Sequence, residues 1–138
     1  MIIARVHNGY IFLLTVLVVG AIASATAVSL LLLGWAAEQN GILIVQSGQA
    51  YEYAHTCAER ALRSLRSDVG YIGSGSITFS RGTCAIHAIG GEGNENRNIC
   101  VEGFSGSSTH RMQLDVAQLL PSVIIRQWEE VDSFTDCP

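Results

Sequence analysis

From Tyr10 to Ala37 the chain runs for twenty-eight residues without a single charge. A helix crosses a bilayer core with about 20 apolar residues, so the run is long enough with length to spare. At about 1.5 Å of rise per residue it extends ~42 Å, more than a hydrocarbon core of about 30 Å. Everything beyond it is polar and glycine-bearing and contains all four cysteines. The chain reads as an N-terminal membrane helix with one small domain attached.

A cleaved secretory signal is the competing reading, since Ala23-Ser24-Ala25 resembles a signal-peptidase site. Such signals carry an apolar core of about 7–15 residues, and here the apolar run resumes from Ala27 to Leu33. A retained helix is expected. Arg5, aided by His7, precedes the span, and Glu38 is the first charge after it. The positive-inside tendency then puts the N-terminus in the cytoplasm and exports the rest. Cysteine usage agrees. Cys57, Cys84, Cys100 and Cys137 form an even set in the exported part, where disulfides staple small domains. The absence of a Cys-x-x-Cys pair speaks against a zinc ribbon.

The helix is expected to continue past the membrane. No proline occurs from Glu38 to Gly70, and Ala50, Ala54, Cys57, Ala58, Ala61, Leu62 and Leu65 recur at spacings of three and four, one apolar helical face. Arg60, Arg63 and Arg66 suit the negative helix end, and Gly70 is a stop signal. Residues 10–37 are thus the membrane half and 38–70 the exported half of one helix. Gly20, Ala27, Gly34, Gly41 and Gly48 fall seven apart. They drift by roughly 20° per heptad, a stripe of the kind through which membrane helices pack.

Residues 71–138 change period. Residues 76–80 alternate, and 84–89, 99–104, 112–117 and 123–128 are strand-like, which predicts a sheet of four or five short strands, with a turn at Ser80-Arg81-Gly82-Thr83 and a glycine-rich loop at 90–98. Short connections imply an antiparallel sheet. About 65 residues make a shallow core on their own, so the sheet is expected to bury one face on the Ala/Leu face of the helix. The fold class is α+β.

Four cysteines allow three pairings. A hairpin around the 90–98 loop sets position 84 opposite about 104 and position 100 opposite about 88. Cys84 and Cys100 then lie ~13 Å apart at about 3.3 Å per residue, beyond the ~7 Å limit on Cα separation. Cys57–Cys84 with Cys100–Cys137, or Cys57–Cys100 with Cys84–Cys137, remain. The first is favoured, because it ties helix to hairpin and tail to sheet.

Catalytic chemistry is sparse. His7, His55, His87 and His110 have no ligand spacing, and no serine elbow, phosphate loop or paired-carboxylate motif is present. Glu92, Asn94 and Glu95 read as a solvated turn ahead of a calcium loop, which wants six to eight oxygens in regular alternation. No metal, cofactor or enzymatic activity is expected. The formal net charge of −4 makes the chain a poor binder of phosphate backbones, which argues against nucleic acid. Every basic side chain other than His is Arg, so a pilus joined through lysine isopeptide bonds is excluded. Trp128 is expected in the core, with Phe134 as a possible exposed contact.

The leader ending in Asn8-Gly9, the aromatic Tyr10 with Ile11-Phe12-Leu13-Leu14-Thr15, and the alanine-rich helix Gln49–Leu62 together resemble the type IV pilin and pseudopilin superfamily. The likeness covers roughly the first 65 residues and the sheet in outline, and is nearest to minor, accessory or tip-type pilins. It implies a leader of residues 1–9 removed by prepilin peptidase at Gly9/Tyr10, methylation of the new terminus, and assembly with other pilin-like subunits after storage in membrane lipid. Two departures bear on this. Leu14 stands where the family usually carries Glu, and the helix lacks the proline of many major pilins. The expected function is a minor subunit of a pilus or pseudopilus filament. The alternative is a single-pass anchored binding domain that does not polymerise.

Overall fold

Freedom from proline lets a single α-helix, α1, run from Val6 to Ser67. In the computed structural model residues 6–135 and 137 are described. Arg5, on which the orientation expectation rests, lies outside them, as does most of the 1–9 leader. The chain separates after Gly41 into two compact units.

The first unit is bare helix. From Gly9 to Gly41 every residue is solvent-exposed, and α1 is the one helix among the described residues long and apolar enough to cross a membrane. Its four serine and threonine hydroxyls are spent locally. Thr15, Ser24, Thr26 and Ser29 donate to the carbonyls of Phe12, Ala21, Ala23 and Ala25 at 2.8–2.9 Å, which removes the cost of unsatisfied donors in hydrocarbon.

The second unit, Ile42–Pro138, joins the rest of α1 to a sheet in the order β1 (Gly73–Phe79), β2 (Gly82–Ala88), β3 (Glu95–Ser105), β4 (Ser108–Gln118), β5 (Ile124–Glu130), antiparallel throughout. Ala54, Cys57, Ala58, Ala61 and Leu65 are wholly buried in one cluster with Ile86, Ile99, Val101, Met112, Leu114 and Val116, and Ala50 is buried as well. Small residues bring the helix down onto the sheet. At Gly103 on β3, a Cβ would overlap the Ala50 carbonyl and the Ala54 backbone nitrogen.

The sheet has five strands, each overlapping an expected segment with shifted bounds: Ser80, Ile89 and Val123 fall outside them. β3 starts at Glu95, so residues 95–98, expected in a loop, are strand. β3 and β4 meet at a two-residue turn in which Gly106 has φ 56°, so the polar stretch Ser108–Arg111 is also strand. Cys84 pairs with Gly103 rather than position 104. The strand period of two explains the consequence: Cys84 points to the helix and Cys100 to the other face.

Candidate functional site

The residues singled out from the sequence fall into two groups. Gly9, Tyr10, Gly20, Ala27, Gly34 and Gly41 lie in the bare helix, and Gly48 lies in the second unit. A Cβ built at Gly9, Gly20, Gly34, Gly41 or Gly48 meets nothing within 4 Å. No contact inside the chain calls for glycine there, in contrast with Gly103. Tyr10 and Trp35, both exposed, bracket the uncharged run. They lie ~37 Å apart along the axis at about 1.5 Å per residue, between the about 30 Å of a hydrocarbon core and the about 40–45 Å of a bilayer with its headgroups, the interfacial zone in which Trp and Tyr are enriched. This pairing went unread in the sequence, although both residues stand in plain view at its ends.

The cysteines form the second group. Cys57 bonds Cys84 and Cys100 bonds Cys137, each with Cα atoms 6.2 Å apart. This is the pairing favoured from the sequence. The first bridge fixes α1 to β2 on the buried face. The second holds the C-terminal segment against the opposite face of β3, where Arg111 also donates to the Asp132 carbonyl at 3.0 Å and to the Glu102 carboxylate.

A polar cluster that spacing gave no hint of sits where α1 first meets the sheet. His110 on β4 holds the Ser47 hydroxyl through Nε2 at 2.8 Å and the Glu130 carboxylate through Nδ1, and its ring meets Tyr51 edge-on at 6.0 Å. Hydroxyl, imidazole and carboxylate stand in the order of a nucleophilic relay. The surroundings suit a tie instead. Ser47 lies within α1, so adjacent backbone N–H groups serve the helix ladder and not an oxyanion. Among the described residues no group of three or more His, Cys, Asp or Glu side chains is placed to hold a metal.

No family model, no curated protein and no solved structure matches this chain.

Two further side chains depart from their sequence reading. Trp128 is not core. It lies at the surface on β5, its ring stacked on His55 of α1 at 4.8 Å. Arg97, assigned to the loop, is buried. Its guanidinium donates to the carbonyls of Val69 at 2.7 Å and of Tyr71, Gly90 and Gly93 at 3.1 Å each. Four carbonyls replace the carboxylate that a buried cation usually finds. Arg97 thereby pins the α1–β1 connection to the β2–β3 loop, setting the end of the domain farthest along α1.

Proposed function

We propose that this protein is a minor, pilin-like structural subunit, held in the cytoplasmic membrane by α1 with its sheet domain exported, and then assembled into, or priming, an extracellular pilus or pseudopilus filament. One observation carries the reading: a single helix is uncharged and unburied from Tyr10 to Ala37 and, from Ala50 on, forms the floor of a disulfide-bonded sheet domain. Such a helix suits lipid before assembly and a core of like helices after it. The open glycine stripe supports the same use, because small residues without neighbours in their own chain admit close approach by another helix.

In this reading prepilin peptidase cuts between Gly9 and Tyr10, and the partners are other pilin-like subunits. No chemistry is asked of the domain beyond folding and presenting a surface. A second reading, an anchored domain that never polymerises, draws on Leu14, an apolar residue where the resemblance leads one to expect a carboxylate. Intact-mass measurement on a sheared surface-filament fraction tests the choice. The expected species begins at Tyr10 and carries two disulfides. A chain confined to membranes and retaining residues 1–9 favours the anchored domain.

A further inference from the structure

The last turns of α1 carry charges that the fold does not spend. Thr56, Arg60, Arg63 and Ser67 follow one another at spacings of four, three and four, a single stripe along the helix. All four are exposed, on a different face from the buried Ala54, Cys57, Ala58, Ala61 and Leu65. Tyr71, in the connection to β1, stands beside the stripe, and together they border a cleft of about 650 Å³. Small-ligand sites run to about 300–1,000 Å³. The cleft lies wholly within the second unit, and its wall is fixed. The Tyr71 N–H donates to the Asp68 carbonyl at 3.0 Å, the Gly70 N–H donates to the Asp68 carboxylate at 2.9 Å, and Arg97 holds the Val69 and Tyr71 carbonyls. A wall set before a ligand arrives lowers the ordering cost of binding.

The charges around the cleft are unequally committed. Its two carboxylates are engaged, Asp68 with the Gly70 N–H and Glu59 at 3.5 Å from His55 Nδ1. Glu59 stands four residues before Arg63, the order in which helical ion pairs form, yet it turns to His55 instead. Neither the Arg60 nor the Arg63 guanidinium has an ion pair or hydrogen bond among the described residues, in contrast with Arg97, Arg111 and Arg126. The Ser64 and Tyr71 hydroxyls are likewise unpartnered among them. Thr56 and Ser67 donate to the Glu52 and Arg63 carbonyls at 2.8 and 3.1 Å, which leaves their oxygens as acceptors.

We propose that this cleft binds an acidic sugar chain. Two free guanidiniums suit a uronate carboxylate, which arginine takes through paired N–H···O bonds. Sugar hydroxyls call for donors and acceptors side by side, and the hydroxyls and carboxylates of the cleft supply both. The half-buried Tyr71 adds an apolar ring with a polar tip for the C–H face of a sugar. A phosphate polymer fits less well. It carries a charge on every unit, which Glu59 and Asp68 repel, whereas an acidic sugar spaces its charges among neutral hydroxyls. The inference stands whether or not the chain polymerises.

Calorimetric titration of the full chain in zwitterionic lipid nanodiscs tests it. The probes are tetrasaccharides of galacturonate and of mannuronate, a neutral galactose tetrasaccharide, and inorganic polyphosphate. At least one uronate should bind saturably, and the neutral sugar far more weakly. Arg60→Gln/Arg63→Gln should cut uronate affinity by about tenfold or more. Arg66→Gln/Arg81→Gln removes the same charge from two exposed arginines outside the cleft, and should leave the affinity unchanged. Arg60→Lys/Arg63→Lys keeps both charges at the helix end, and with them the fold, but loses the paired bonds and should still bind several-fold more weakly. Saturable binding of neither uronate overturns the proposal, as does equal binding of the neutral sugar. Equal losses in the two Gln pairs, full affinity in the Lys pair, or tighter binding of polyphosphate through the same arginines would do so too.

Discussion

At the scale of single residues, the positions that matter most are those whose identity is dictated from several sides at once. Gly103 is one, because helix backbone occupies the space of its Cβ. Backbone cannot rotate away as a side chain can, so Gly103→Ala must push α1 off the sheet. Overpacking of this kind costs about 1–3 kcal/mol, and the expected readout is a lower urea midpoint with an unchanged slope. Gly48→Ala, where space is open, should leave the midpoint in place or raise it. Arg97 is the other. Lys offers one point of attachment where the guanidinium reaches four carbonyls. The Gly90 carbonyl keeps the Asn98 N–H as a donor, so the loss falls on the half-buried Val69 and Tyr71. Hydrogen bonds to a charged group are worth about 1.5–3 kcal/mol, and Arg97→Lys should destabilise the domain well beyond Arg126→Lys. The Arg126–Asp115 pair is solvent-exposed at 3.2 Å and worth about 0–1 kcal/mol. Thermal denaturation of the two variants side by side decides it. Equal shifts would mean that Arg97 is not the fastening described here. Nothing in the sequence marks Arg97, since Glu95-Asn96-Arg97-Asn98 has the composition of a solvated loop and its burial depends on carbonyls 4 to 28 residues away.

The elements were more legible than the residues between them. Periods of 3.6 and 2 are local properties, so α1 and the five strands could be read from hydrophobic spacing. Their bounds could not. Ser108-Thr109-His110-Arg111 looks like loop, yet pairs with Gly103, Phe104 and their neighbours because Gly106 alone supplies the turn. His110 and Glu130, twenty residues apart, meet only because β4 and β5 are adjacent. The Cys57–Cys84 bridge spans 27 residues and is the covalent tie between α1 and the sheet. Loops of that size are worth about 2–4 kcal/mol when closed. A fragment beginning at Gln46 keeps the buried helix face and omits the exposed Ile42, Leu43, Ile44 and Val45, so it should be a soluble monomer with both bridges. Its Cys57→Ala/Cys84→Ala form should melt markedly lower, while Ser47→Ala, which gives up only one end of the His110 tie, should cost about 1 kcal/mol. Calorimetry on the three forms checks the order. A fragment that aggregates with its disulfides intact would place essential packing upstream of residue 46.

At the scale of the whole molecule, the two halves of α1 answer to different solvents. The second half is covered by its own sheet, and the first half has only what surrounds the chain. Position in a filament then turns on Leu14. In the proposed assembly a body subunit lies beneath another whose charged N-terminus must be neutralised within an apolar core, where a lone charge is costly. Leucine cannot do that. A subunit with nothing above it has no such duty, which suits Leu14 to the tip or to the complex that starts the filament. Gold label against the sheet domain should therefore sit at one end of isolated filaments. Leu14→Glu supplies the missing carboxylate and should let the chain enter the body, spreading label along the shaft without changing the fold. Label spaced along the shaft of the unaltered protein would overturn the terminal position, and filaments without label at either site would remove the chain from the filament.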